Sequence, residues 1–160
     1  MQIFSGISDK RTMKRKLKVT KDGKWYRVSL RLMGDRLPIE DLDIRLGLAS
    51  SSFGIKGEQL SDNPRSETYR TNVWVSEYLT ESDVPFEEQI TTLLDALQPK
   101  ATALKEILSL PNVQGELFLG FSSANGQGGA EFSPELLGRI AECGLTLSLD
   151  LYPHSQSSEN

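Results

Sequence analysis

The sequence predicts an α+β fold, a two-layer sandwich in which helices cover one face of a mainly antiparallel sheet of about four or five strands. The first observation is the order of the predicted elements, which runs strand, helix, strand, long helix, strand, helix, strand. The second is that each main strand has one strongly apolar face and one mixed face. Parallel strands buried on both sides would be apolar throughout, so we expect helices on one face only and a ferredoxin-like character.

The first predicted strand is Trp25–Met33, which alternates between two kinds of side chain. Residues 17–20 precede it, and an Asp-Gly pair at residues 22–23 separates the two segments. Asp-Gly favours a type I′ turn because both central positions need a positive φ, so the pattern predicts a hairpin. The apolar face of Trp25–Met33 comprises Tyr26, Val28, Leu30 and Leu32.

A short helix and a second strand region follow. Pro38 suits the first turn of a helix, and Gly47 is a natural left-handed stop. A short strand is expected around residues 53–55, and a longer one over residues 68–78. In the longer strand one side carries Thr71, Val73 and Val75, and the other carries Arg70, Asn72, Trp74 and Ser76.

A long apolar stripe predicts the most strongly helical part of the chain, over residues 86–108. Asp83 is a plausible N-cap, and Pro111 closes the element. Pro99 lies inside the stripe and removes one backbone hydrogen bond, which predicts a kink or a break into two helices. Because the stripe continues in phase, a kinked continuous helix is the preferred interpretation.

Residues 114–153 read as strand, glycine-rich loop, capped helix and strand. Ser133 is expected to cap the helix and Gly144 to end it. The last strand alternates cleanly, so its leucines are expected to face the core. The expected inward residues are Leu145, Leu147, Leu149 and Leu151, and the expected outward residues are Thr146, Ser148, Asp150 and Tyr152.

Length and charge suggest one domain with a basic arm. The 160 residues suit a single domain at residues 17–153, with an N-terminal arm at residues 1–16 and a polar tail at residues 154–160. Residues 1–24 carry eight Lys or Arg against two Asp, a net charge of +6, whereas residues 25–160 carry a net charge of −10. The arm is either solvated, docked on its own domain, or bound to nucleic acid or an acidic partner.

The chain has no apolar run of the roughly 18 residues that a bilayer requires and no apolar segment of a secretory signal at its N-terminus. A single cysteine forbids an internal disulfide. These features predict a cytoplasmic protein that does not contact a membrane.

Several short sequence motifs carry a resemblance to a known family. They are Val28-Ser29-Leu30-Arg31-Leu32, Leu46-Gly47-Leu48, Trp74 with Ser76, Leu97-Gln98-Pro99-Lys100 with Leu104, and Ser133-Pro134-Glu135-Leu136-Leu137 through Gly144-Leu145 to Asp150-Leu151-Tyr152. Over residues 25–152 the chain resembles a bacterial family described only as domain of unknown function 4279. The segment between Leu48 and Trp74 departs from the family's pattern. The resemblance implies a fold and no particular chemistry.

The residues that usually carry catalysis are poorly placed, and we expect no catalytic site, metal site or cofactor. The one histidine, His154, lies in the polar tail. Cys143 lies in the last turn of a helix, where its pKa is expected to rise, and cysteines of this kind are usually small buried hydrophobes. The glycine-rich segment at residues 120–129 matches neither a phosphate loop nor a dinucleotide fingerprint. The pairs Asp41 with Asp43 and Glu87 with Glu88 are interpreted as solvated surface.

The mixed face of the sheet is the candidate interface. One interpretation is ordinary cross-strand packing, in which Arg27 or Arg31 pairs with Glu116 or Asp150. The other is a recognition surface, because aromatic residues and Arg are enriched among interface anchors. The candidate interface residues are Trp25, Arg27, Arg31, Trp74, Phe118, Asp150 and Tyr152, and the candidate loop contacts are Asn125, Gly126 and Gln127.

Three functions are therefore expected, in decreasing order of support. The first is a non-enzymatic module that binds a protein partner, for which an immunity or inhibitor protein is an analogy. The second is a nucleic-acid-binding domain that uses the basic residues 10–24 for phosphates and the sheet aromatics for stacking, which the acidic remainder opposes. The third is a module that binds a small ligand, whereas an enzyme is disfavoured by the missing His and Cys chemistry.

Overall fold

The computed structural model describes residues 23–77 and 83–152. The predicted strand at residues 17–20, the basic arm and the polar tail beyond residue 153 lie outside the described residues. Within the described parts, one five-stranded sheet carries helices on one face, which confirms the predicted α+β sandwich. The elements are β1 (Trp25–Met33), α1 (Leu42–Leu46), β2 (Ser52–Gly54), β3 (Val73–Glu77), α2 (Phe86–Leu97), α3 (Ala101–Leu108), β4 (Gln114–Ser122), α4 (Pro134–Glu142) and β5 (Thr146–Tyr152).

The strand order is β2-β3-β1-β4-β5, so β1 lies at the centre of the sheet. β1 pairs antiparallel with β3 and with β4, and β2 pairs antiparallel with β3. β4 and β5 are parallel, because α4 lies between them in the chain and returns it to the end of the sheet at which β4 begins. The two edges of the described sheet are therefore the three residues of β2 and the seven residues of β5.

The ends of α4 follow from its sequence. The Ser133 hydroxyl accepts a hydrogen bond from the Leu136 backbone N–H at 3.3 Å, and Pro134 occupies the first helical position. Gly144 stops the helix with a φ of 71°, a left-handed conformation that favours glycine. The Leu145 N–H then bonds back to the Ile140 carbonyl at 3.3 Å, which aims the chain into β5.

Pro99 divides the long apolar stripe into two α-helices. A 3-10 turn at Gln98–Lys100 separates α2 from α3, so the preferred continuous helix is wrong and the alternative break is correct. The cause is local, because Pro99 has no N–H with which to continue the α-helical ladder. The residue at the N-cap of α2 is Pro85 rather than Asp83.

The core lies between the sheet and the helices. β1 contributes Leu30 and Leu32, and β4 contributes Leu117 and Leu119, all at most 1% exposed. The helices contribute their apolar stripes to the same cluster. The further buried apolar residues are Val28, Leu37, Leu42, Leu46, Trp74, Phe86, Ile90, Leu93, Leu94, Leu97, Leu104, Ile107, Val113, Leu136, Ile140 and Leu145.

Trp74 lies in this core, and its expected place on the mixed face is wrong. It pairs across the sheet with Leu32, so the two side chains share the helix-covered face, and Trp74 is fully buried. Its indole Nε1 donates to Asp43 Oδ1 at 2.8 Å. Asp43 Oδ2 also accepts from the backbone N and Oγ of Ser50, each at 3.1 Å. The Asp43 carboxylate is therefore a structural acceptor that satisfies a buried donor.

The leucines of the last strand face the helix side as expected, but the expectation that all of them are buried there is wrong. Leu145, just before the strand, is 7% exposed, but Leu147, Leu149 and Leu151 are 38%, 58% and 64% exposed. They do point to the helix side, because they pair with core positions of β4 such as Leu119. Exposure rises with distance from the end of α4, so the helix layer covers only the start of this edge strand.

The segment between β2 and β3 folds over the sheet. Gln59 and Thr68 form an antiparallel bridge, and the Gly57 N–H bonds to the Tyr69 carbonyl at 2.9 Å. A Cβ on Gly54 would lie only 2.2 Å from the Tyr69 ring, so this ring packs directly on the backbone of β2. β3 therefore begins at Val73, later than the predicted residue 68.

Candidate functional site

The face of the sheet opposite the helices is the candidate site, and we call it the open face. Tyr69 packs on this side at β2, so the accessible part lies over β1, β4 and β5. The register brings side chains of all three strands together there. Its residues are Trp25, Arg27, Arg31, Glu116, Phe118, Ser148, Asp150 and Tyr152.

Arg31 forms the centre of one cluster. Its guanidinium carbon lies 3.3 Å from the centroid of the Phe118 ring, and its Nη1 lies 3.7 Å from Glu116 Oε1. Ser148 Oγ donates to Glu116 Oε2 at 2.8 Å, which links β5 to the pair. Among the residues that the structure describes, the buried Arg31 Nε has no hydrogen-bond partner. Stacking and charge therefore orient this guanidinium more than hydrogen bonds do.

Trp25, Arg27 and Tyr152 form a second cluster near the start of β1. The rings of Trp25 and Tyr152 lie 5.1 Å apart at 44°, and the Arg27 guanidinium lies 5.6 Å from the Trp25 ring. Arg27 Nη1 is also 3.9 Å from Glu77 Oε1. The contacts cross four strands, so the cluster is ordered by the sheet as a whole.

Gly120 allows the two rings to meet. It pairs with Arg27 on one side and Asp150 on the other. A Cβ at this position would lie 3.2 Å from the Trp25 ring and 3.4 Å from the Tyr152 ring. The absence of a side chain at Gly120 therefore allows both aromatic rings to pack closely against the sheet backbone.

Tyr152 is the one residue of the open face with a shifted pKa. A hydrogen bond with the Asp150 carboxylate, followed by burial, raises the pKa of the Tyr152 hydroxyl above its usual range. The hydroxyl therefore stays protonated well beyond neutral pH and acts as a donor. Tyr152 is 40% exposed, so its ring and hydroxyl are accessible to a partner.

The glycine-rich loop follows the end of β4, and it packs against Phe121, whose ring lies on the helix-covered face with Phe86. Asn125 Oδ1 accepts from the Gln127 N–H at 3.0 Å, a local turn that exposes Asn125, Gly126 and Gln127. A Cβ on Gly128 would lie 2.4 Å from the Phe121 ring, so the loop folds back against β4. The candidate loop contacts are therefore accessible, but no described contact links them to the arginine clusters.

All the predicted interface residues except Trp74 share the open face. The expected pairing of Arg31 with Glu116 is confirmed, whereas Arg27 approaches Glu77, which the sequence did not single out. The Asp150 carboxylate is hydrogen-bonded to the Tyr152 hydroxyl instead of pairing with an arginine. The register of β1 with β3, which places Ser29 opposite Glu77, is the signal that would have found this acid, but it depends on the pairing of distant strands.

Other reactive groups lie away from the open face. Burial, above all other causes, raises the pKa of the Cys143 thiol, so the thiol is protonated at neutral pH. Over residues 23–77 and 83–152, the structure holds no group of three or more metal-binding side chains. None of the described helices has the length and apolar character that crossing a bilayer requires.

One of the comparisons with known proteins identifies the family of this chain. Neither curated proteins nor solved structures give a match. A family model matches residues 24–154, from the residue before β1 to just beyond β5, and therefore covers both layers of the sandwich. The chain belongs to the family described as a domain of unknown function, DUF4279.

Proposed function

We propose that this domain is a non-enzymatic binding module that recognises a protein partner through the open face of its sheet. The observation that carries the proposal is the pair of ordered clusters around Arg31 and Trp25 on a face that the helices leave uncovered. Aromatic residues and Arg are the side chains that most often dominate binding energy at protein interfaces.

The order of these side chains favours binding. Arg31 is fixed between Phe118 and Glu116, and Trp25 is fixed against Tyr152. Immobilising one flexible side chain on association costs about 0.5–1.5 kcal/mol, and contacts that already exist in the free domain reduce this cost. The Arg31 side chain is 32% exposed, so part of it remains available to an acceptor on the partner.

The charge of the domain favours a partner with a basic surface. Residues 25–160 carry a net charge of −10, which would accelerate the approach of a positively charged protein. An immunity or inhibitor protein that neutralises a basic co-encoded toxin is one instance of such a module. The open face itself is mixed, with Glu77, Glu116 and Asp150 among the arginines.

The same acids argue against nucleic acid as the partner. Single-stranded nucleic acid is usually bound by a positively charged groove with aromatic stacking platforms. The aromatic residues are present, but three carboxylates lie beside them, which would repel phosphates.

The thiol of Cys143 supports a function without nucleophilic catalysis, because it is protonated at neutral pH.

The experiment is affinity capture with matched arginine variants, followed by a binding titration with the purified partner. Arg31→Ala removes an anchor of the open face. Arg139→Ala is its control, because Arg139 is 37% exposed and pairs with Asp95 at 2.6 Å on the helix layer. We expect Arg31→Ala to weaken binding about 10-fold or more and Arg139→Ala to change it less than about 2-fold.

If the two variants weakened binding equally, or if neither did, the open face would not be part of the interface. A parallel titration with single-stranded RNA at about 150 mM salt tests the alternative. Submicromolar binding that Phe118→Ala abolishes would replace the protein partner by nucleic acid.

A further inference from the structure

The outer edge of β5 carries a row of exposed leucines that have no strand partner among residues 23–77 and 83–152. Leu147, Leu149 and Leu151 are 38%, 58% and 64% exposed and lie on consecutive same-face positions of one strand. β5 pairs with β4 on one side and stands last in the order of the described sheet. Its other side therefore presents backbone N–H and C=O groups beside an apolar stripe.

The opposite edge of the sheet is built differently. β2 has only three residues, ends at Gly54, and is overlaid by the Tyr69 ring. Short strands and covering loops are the usual ways in which proteins prevent edge-to-edge pairing. β5 has seven residues, no Lys, Pro or Gly within it, and one charge at Asp150. One edge is thus protected against strand addition, and the other is suited to it.

We infer that the β5 edge binds a second copy of this chain, so that two sheets join through antiparallel β5–β5 pairing. This interface is the edge of the sheet and does not depend on the proposed protein partner, although Ser148, Asp150 and Tyr152 of β5 belong to the open face as well. A two-fold axis through Leu149 would create a continuous sheet of ten described strands from two sheets of five.

The sequence of β5 is self-complementary in this register. With Leu149 opposite itself, Leu147 lies opposite Leu151 of the second copy, so the three exposed leucines form one apolar cluster. On the other face Ser148 meets Asp150, and Thr146 meets Tyr152. The one charge therefore faces Ser148, whose hydroxyl donates to Glu116, and not its own copy. All seven residues of the strand are paired.

A register centred on Asp150 fits less well. A shift of the axis to Asp150 would bring two carboxylates face to face, which is unfavourable. It would also require residue 154 to pair with Thr146, across Pro153, which has no N–H to donate. The proline that follows β5 therefore limits pairing to the strand itself.

The size of the surface predicts a weak and reversible dimer. One strand edge with three leucines buries on the order of 400 Å² per copy, about half of the ~800 Å² that stable complexes bury. Interfaces below this size are typical of weak, transient complexes, and we expect a dissociation constant of about 10–100 µM. Because each copy carries a net charge of −4, higher salt should strengthen the association by screening repulsion.

Sedimentation of the full chain from about 5 to 500 µM tests the association. We expect a monomer at the low end, a dimer at the high end, and a shift towards dimer in about 0.5 M salt. Leu149→Asp should weaken the dimer at least about 10-fold. Phe53→Asp is the matched control, because Phe53 is 56% exposed on the opposite edge strand and should leave the dimer unchanged.

Disulfide trapping tests the register. In a Cys143→Ser background, Leu149→Cys should form a covalent dimer on mild oxidation, since directly opposed Cα atoms lie about 4.5–5.5 Å apart. Leu147→Cys alone should not, because its copies would lie about 13 Å apart, four strand residues away. Mixing Leu147→Cys with Leu151→Cys protein should restore cross-linking between the two variants.

A wild-type chain that stays monomeric at about 500 µM would overturn the proposal, whether another protein or another segment of the chain occupies the edge. A dimer that persists in Leu149→Asp, or cross-links through Leu147→Cys as fast as through Leu149→Cys, would overturn the site and the register. Arg31→Ala should leave self-association intact, which separates this interface from the open face.

Discussion

Strands β1 and β5 have the same pattern of alternating apolar residues but different surroundings. In β1, Leu30 and Leu32 are fully buried at the centre of the sheet. In β5, Leu149 is 58% exposed although it points to the same side. The difference comes from the helix layer, which covers β1 and β4 and leaves the far half of the edge strand bare. Alternation determines which residues share a face, whereas position in the sheet determines whether that face is covered.

The largest expected effect lies in the central strand. Leu30→Ala removes a fully buried side chain that packs between two neighbouring strands and the helices. Loss of transfer energy and the cavity left behind should reduce the free energy of unfolding by about 2–5 kcal/mol. Urea denaturation followed by circular dichroism measures this change. A loss below about 1 kcal/mol would mean that the centre of the sheet repacks freely.

Most of the fold follows from the sequence because its signals are local. The helix cap at Ser133 and the stop at Gly144 depend on neighbouring residues, and the structure confirms both. Pro99 was correctly identified as an interruption, but the stripe that continues in phase across it favoured the wrong alternative. The spacing of apolar residues indicates which side chains face the core. It does not indicate where a backbone hydrogen bond is lost.

The errors arise where distant segments decide the outcome. On β3, Val73 and Trp74 point to opposite faces and are both apolar, so alternation could not choose the inner one. The choice is made by pairing with Leu32 and by the Asp43 carboxylate, which lies 31 residues away in the chain. The sequence does predict nearly all residues of the open face, because the alternation of their strands assigns the two faces correctly. The exposed edge was missed, because nothing local marks a strand as the last in its sheet.

The start of β5 provides a test within the same segment. Leu145 is 7% exposed and packs near Gly115 and Leu108, where the chain leaves α4. Leu145→Ala should cost about 2–3 kcal/mol, at the lower end of the range for buried leucines. The measurement is again urea denaturation. A cost below about 0.5 kcal/mol would show that the helix layer ends before this residue.

Trp74→Phe tests the face assignment with a smaller change. The substitution keeps an aromatic ring in the core but removes the donor to Asp43 Oδ1 and part of the buried volume. We expect a loss of about 1–3 kcal/mol in the free energy of unfolding. Asp43→Asn is the companion variant, since its side chain can still accept the indole hydrogen bond, and it should cost less. If Trp74→Phe were neutral, the indole would not be buried against the carboxylate.

The smallest effect is expected at Leu149, and it completes the comparison because its cross-strand neighbour Leu119 provides the control. The two residues are directly paired and share a face, but Leu119 is 1% exposed and Leu149 is 58% exposed. Leu119→Ala should cost about 2–5 kcal/mol, whereas Leu149→Ala should change the free energy of unfolding by less than about 0.5 kcal/mol. Both must be measured near 5 µM protein, so that self-association does not stabilise the wild type by mass action. Equal costs for these two neighbours would mean that the helix layer covers the whole of β5, and the apolar edge proposed to bind a second copy would then not exist.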